Sequence, residues 1–137
     1  VTFLLDTNVV SEARRRGGNT GVRRWLAQRR TAELYLSVLV VGEIRQGAER
    51  LRRRDPTQAE VFDRWLEELR AGYGDRILPI TAEVAAEWGR RNVPDPIPVV
   101  DGLMAATAAV HGLTLVTRNT ADMSRTGATV LDPFDSP

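Results

Sequence analysis

Short apolar runs alternate along this chain with longer segments in which apolar residues recur every three or four positions. Residues 1–5 (VTFLL) are continuous, partly β-branched and too few for a helix, which predicts a buried strand ending at Asp6. Residues 9–14 and 20–30 read as helices parted by Gly17-Gly18, with Val22, Trp25 and Leu26 spaced as one buried stripe. Residues 33–37 (ELYLS) read as a second strand, and Ser37 caps a helix from Val38 to about Arg54 that Asp55-Pro56 stops. Thr57 and Glu60 have the spacing of a capping box, heading a helix with Val61, Trp65, Leu66 and Leu69 that Gly72 and Gly74 end.

In the second half, residues 76–80 (RILPI) predict a third strand, and Thr81 caps a helix through Trp88 to about Arg91. Residues 92–98 hold three prolines and must be extended or turning. The run VVDGLMAATAAVHG from Val99 predicts a helix closing on Gly112. Residues 114–117 and 128–131 supply a fourth and a fifth strand. Strands alternating with helices in this way predict a parallel α/β sheet covered on both faces, within a single domain spanning residues 1–137.

Composition narrows the setting. No apolar run approaches a membrane span, and without cysteine there is neither a disulfide framework nor a thiolate metal site, so the cytoplasm is the expected location. All 19 basic residues are arginine. Residues 1–54 carry 12 of them against 5 acids, whereas residues 55–137 carry 7 against 13. Clusters at Arg14 to Arg16, Arg23-Arg24, Arg29-Arg30 and Arg52 to Arg54 are either a surface for nucleic acid or solvated helix faces.

The acids carry the candidate chemistry. Ligands of open parallel sheets bind beyond the carboxyl ends of the strands, and Asp6 stands there. Glu43, in the helix after the second strand, is flanked by Val40, Val41 and Ile44; Asp101 interrupts Val99, Val100, Leu103 and Met104; Asp122 follows the fourth strand. Carboxylates in apolar surroundings are costly unless paired or bound to a cation, and no lysine is available to pair with them. Oxygen-only donors select Mg²⁺ or Mn²⁺ and suit metal-dependent phosphodiester chemistry. Glu12 either approaches this group or solvates the first helix, and Asp132 and Asp135 read as turn and terminus residues. His111 reads as a helix C-terminal residue, and Trp25, Trp65 and Trp88 as core or interface anchors.

Four segments in order, LLDTNVVSE, SVLVVGEIRQG, VVDGLMAATA and LVTRNTADM, resemble the PIN-domain ribonucleases, nearest to the VapC or FitB-like toxins of bacterial toxin–antitoxin pairs. The resemblance spans nearly the whole chain. It implies a three-layer α/β/α sandwich around a mostly parallel five-stranded sheet, and an acidic pocket that binds Mg²⁺ or Mn²⁺ and cleaves RNA. Carried over, the catalytic and metal-holding acids are Asp6, Glu43, Asp101 and Asp122, with Asn8, Thr117 and Asn119 orienting water, metal or phosphate. Met123 stands where the family commonly has an aromatic residue, a departure that touches packing.

The same resemblance implies a homodimer, a VapB-type antitoxin protein as partner and no membrane association. Trp25, Leu26, Leu51, Val61 and Trp65 are the apolar residues expected to serve these contacts. Two other readings compete. A haloacid-dehalogenase-type phosphatase needs an acid where Asn8 stands. The remaining alternative is a catalytically inactive PIN-like module that binds RNA or protein without cleaving.

Overall fold

The computed structural model of the protein describes residues 1–134, so Asp135 and the last stretch of the expected domain lie outside the described residues. Five strands, β1 (Phe3–Leu5), β2 (Leu34–Ser37), β3 (Ile77–Leu78), β4 (Thr114–Val116) and β5 (Val130–Leu131), form one sheet in the order β3-β2-β1-β4-β5. Every neighbouring pair is parallel. Parallel neighbours need crossovers, which α1 (Thr7–Arg14), α2 (Thr20–Ala27), α3 (Val38–Arg52), α4 (Pro56–Tyr73), α5 (Ala82–Arg91), α6 (Val99–His111) and α7 (Thr120–Ser124) provide, giving the expected α/β/α sandwich. Leu4, Leu5, Leu36, Leu115 and Val116 are sealed from solvent between the layers, with Val9, Val22, Val40, Val84 and Met104 packing from the helices. Burial on both faces is why β1 reads as an unbroken apolar run.

Several boundaries differ from the sequence expectation for local reasons. Helix α1 starts at Thr7 because the Asp6 carboxylate accepts the Thr7 N–H at 2.8 Å and caps it. Helix α4 is capped by Asp55, which accepts from the Gln58 N–H at 3.1 Å; with Pro56 in the first turn, the expected Thr57 and Glu60 box does not form the cap. Residues 20–30 are helical only to Ala27, and a turn of 3₁₀ helix at Thr31–Glu33 leads into β2. A similar turn at Gly74–Arg76 shortens the edge strand β3. Helix α7 had no counterpart in the sequence pattern, being five residues long and anchored by Met123 alone, which is fully buried. Gly112 closes α6 in the left-handed conformation (φ 66°), with exposed His111 as its last residue, as expected.

Several members of the arginine clusters are committed within the fold. Arg14 lies over the rings of Phe62 and Trp65 at 5.0 and 4.9 Å, and Arg29 lies over Trp25 at 5.1 Å. Arg52 joins α3 to α4, donating to both Asp63 oxygens at 3.0 Å and to Glu49 at 2.8 Å, while Arg45 reaches Asp63 at 2.8 Å. Arg52, hydrogen-bonded to both acids, holds the Glu49 and Asp63 carboxyls below their usual range. Among the described residues, no helix is long and apolar enough to cross a membrane.

Candidate active site

The strand order reverses direction between β1 and β4: the chain builds outward through β2 and β3 on one side and through β5 on the other. Such a switch point opens a crevice at the carboxyl ends of the two central strands. Leu5 pairs with Val116, so the residues that follow them, Asp6 and Thr117, stand together at the mouth of that crevice. The Asp6 N–H donates to the Val116 carbonyl at 2.9 Å, fixing the aspartate to the sheet.

Asp6 is only 8 % exposed, and its carboxylate is held from three sides. Besides the Thr7 N–H, its Oδ2 accepts from Thr117 Oγ1 at 2.7 Å and from Asn8 Nδ2 at 3.2 Å. Thr117, wholly buried, accepts in turn from the Asn119 N–H at 3.0 Å. The Asn119 amide points Nδ2 toward Asp101 Oδ2 at 3.5 Å. Asn8 Oδ1 accepts the Arg118 N–H at 3.4 Å. Thr117 and Asn119 thus link Asp6 to Asp101, and Asn8 ties Asp6 to the Arg118 backbone.

Asp101 lies in the first turn of α6, half-buried. Burial, and then the negative charges of Asp6, Glu43 and Asp122, push its carboxyl above the usual range. That response ties all four acids to one electrostatic neighbourhood. Glu43 departs from the sequence reading: it projects from the exposed face of α3, away from the buried stripe of Val40 and Ile44, and accepts from Thr7 Oγ1 at 2.5 Å. Asp122 is exposed on α7, with Arg125 at 3.9 Å. Among the described residues, Asp6, Glu43 and Asp101 enter no ion pair. Glu12 stands apart, accepting the Asn19 N–H at 2.8 Å and pairing with Arg15. Asp132 accepts the Phe134 N–H at 2.9 Å, a turn role as expected.

Two contributors escaped the sequence reading. The first is the partner of Thr7, a hydrogen-bonding residue at the rim from its place after Asp6: Thr7 bonds Glu43, and a contact between residues 36 positions apart leaves no local signal. Gly102 is the second: a Cβ there would stand 2.8 Å from the Trp88 indole and 3.2 Å from Ile97, so glycine lets α5 seat its tryptophan directly behind Asp101. A glycine beside an acid inside an apolar helical run was the available clue.

The donor set fits a hard divalent cation in chemistry, being all oxygen with His111 at the opposite end of α6 from Asp101. Among the described residues, no three acidic or histidine side chains stand close enough to hold an ion jointly.

The four acids gather at the switch point of a parallel sheet, where such folds bind their ligands, and the chain belongs to the PIN-domain family, whose model matches residues 3–128. It is 32% identical over 137 residues to toxin FitB of Neisseria gonorrhoeae, covering 96% of this chain and 98% of that one. It is 28% identical to the VapC ribonuclease Y4jK of Sinorhizobium fredii, covering 97% and 98%. The structure of FitAB bound to an IR36 DNA fragment superposes with a TM-score of 0.88 at 31% identity, covering 99% of this chain and 98% of that chain.

Proposed function

We propose that this chain is a Mg²⁺- or Mn²⁺-dependent ribonuclease, a single PIN domain that acts in the cytoplasm as the toxin of a toxin–antitoxin pair. The observation that carries the reading is Asp101, half-buried, without a cationic partner and under the combined charge of Asp6, Glu43 and Asp122. A fold does not maintain such repulsion for stability, whereas a cation-binding site requires it. The ribonuclease named among the relatives and the family match support the same chemistry.

Asp6 and Asp101 would hold the ion, with Glu43 and Asp122 completing its shell directly or through water. A bound divalent ion supplies a more acidic water and stabilises charge gathering on the attacked phosphate. The protein's own part is placement. Thr117, Asn8 and the Thr7 N–H lock the Asp6 carboxylate, Thr7 Oγ1 holds Glu43, and Asn119 faces Asp101. Side chains fixed in this way need no reorganisation when substrate arrives.

The partners proposed are RNA as substrate, a second copy of the chain, and a VapB-type antitoxin. Leu26 and Trp65, named from sequence, line an apolar groove of about 260 Å³ with Leu5, Val10, Leu69 and Tyr73, which supports a protein ligand there. Incubating labelled single-stranded RNA with the free chain tests the enzymatic reading. Fragments are expected in Mg²⁺ or Mn²⁺, none in EDTA and none with Asp101→Asn. RNA that is bound but intact in every metal would instead make the chain a non-cleaving module.

A further inference from the structure

We propose that Arg118 binds a backbone phosphate of the RNA strand beside the acidic site, and that Phe134 holds its guanidinium ready for that contact. The proposal rests on the ribonuclease reading and adds a substrate contact to it.

Arg118 sits between Thr117, which bonds Asp6, and Asn119, which faces Asp101, and its own N–H donates to Asn8. Its backbone is therefore fixed inside the site, while its side chain is exposed. A guanidinium within reach of a carboxylate ordinarily pairs with it. Arg125 does turn toward Asp122, at 3.9 Å. Arg118 enters no ion pair among the described residues; its Cζ lies 4.8 Å from the centre of the Phe134 ring. Phe134 is itself anchored, its backbone N–H donating to the Asp132 carboxylate and its ring packed against the core beyond β5.

An aromatic face holds a cation without neutralising it, so Arg118 keeps its charge and its planar fork of donors for an anion. A polyanion approaching a group of carboxylates needs such a group at the rim. Arg52, by contrast, is paired with Glu49 and Asp63, and Arg15 with Glu12. Contact with phosphate carries no sequence information, so Arg118 contributes affinity and register without setting the cleavage sequence.

The test compares wild type, Arg118→Gln and Phe134→Leu on a labelled single-stranded RNA, by anisotropy across a salt series in EDTA and by cleavage kinetics in Mg²⁺. Loss of one phosphate contact should make the log–log salt dependence of binding in Arg118→Gln shallower by roughly 0.7. Its KM should rise several-fold with kcat unchanged, because the contact is the same in ground and transition states. Phe134→Leu, which keeps the charge, should show the KM effect in weaker form with the wild-type slope. Mn²⁺ affinity should be the same in all three. An unchanged salt slope and KM in Arg118→Gln, in a wild type that cleaves, overturns the contact, leaves Arg118 to a protein partner and spares the ribonuclease reading. Binding with the arginine-dependent slope but no cleavage in any metal keeps the contact and sinks the enzyme. Weakened Mn²⁺ binding in Arg118→Gln also overturns the proposal, since the arginine would then act through the acids.

Discussion

The acids on the α3–α4 seam and those at the sheet edge are the same kinds of residue in opposite electrostatic circumstances. On the seam, Glu49 and Asp63 share Arg52 and Arg45, and their carboxyls are held low. At the edge, Asp101 meets burial and three like charges, and its carboxyl is pushed up. Arginine is abundant in this chain, so no shortage of cations explains why Asp6, Glu43 and Asp101 enter no ion pair among the described residues. Paired acids join helices; unpaired acids held rigidly around a crevice are a place for something positive to bind.

The widest separation between the two regions should appear in catalysis. Asp6→Asn and Asp101→Asn are each expected to lower metal-dependent RNA cleavage by at least about 100-fold, the upper end of what losing even an outer-sphere metal partner costs. Arg52→Gln on the seam should leave cleavage unchanged. Near-normal turnover by either aspartate variant at saturating Mg²⁺ would remove that residue from the site.

Stability should then divide the two aspartates from each other. Asp6 accepts three hydrogen bonds, and an asparagine amide there turns a donor toward donors, so Asp6→Asn should destabilise the metal-free protein by about 1–3 kcal/mol. Asp101→Asn removes a repelled charge whose one contact in the site, from Asn119, is long at 3.5 Å, and should leave the metal-free melting temperature equal or higher. Denaturant melts in EDTA compare the two directly. Gly102→Ala should fall between them: its Cβ has to displace the Trp88 indole behind Asp101, lowering both melting temperature and Mn²⁺ affinity.

The smallest effect belongs to the seam and to acid pH. Glu49 and Asp63, held low by Arg52, bind fewer protons folded than unfolded, so their contribution is complete above the usual carboxylate range and drains away as pH falls through it. Both are exposed enough for solvent to screen the pairs, and the loss should be modest. Thermal melts from neutral pH downward should show Arg52→Gln slightly less stable at neutrality and converging on wild type in acid. A gap that widens in acid would contradict the assignment.

Much of this was legible in the sequence because its signals are local. The run into Asp6, the Ser37 and Thr81 caps and the Gly112 stop each act over a few residues, and strands alternating with helices suffice for a parallel sheet. The ordered motifs then brought Asp6, Asn8, Asp101, Thr117 and Asn119 into one site, and the structure joins these five through hydrogen bonds. What escaped depends on distant partners. Glu43 looked buried from its neighbours, yet the helix turns it outward to meet Thr7. The Arg52 to Arg54 cluster could be read as a nucleic-acid surface or a solvated helix face, and neither reading foresaw that Asp63, from the next helix, takes up Arg52. Helix α7 owes its existence to a single buried methionine, which no periodicity can reveal.

Equilibrium binding of Mn²⁺ to the free chain, followed by electron paramagnetic resonance in wild type, Asp101→Asn and Arg52→Gln, tests the contrast between paired and unpaired acids most directly. Wild type and Arg52→Gln should bind Mn²⁺ with the same affinity, and Asp101→Asn should bind at least about tenfold more weakly. Equal affinity in Asp101→Asn and wild type, or loss in Arg52→Gln alone, would contradict the account.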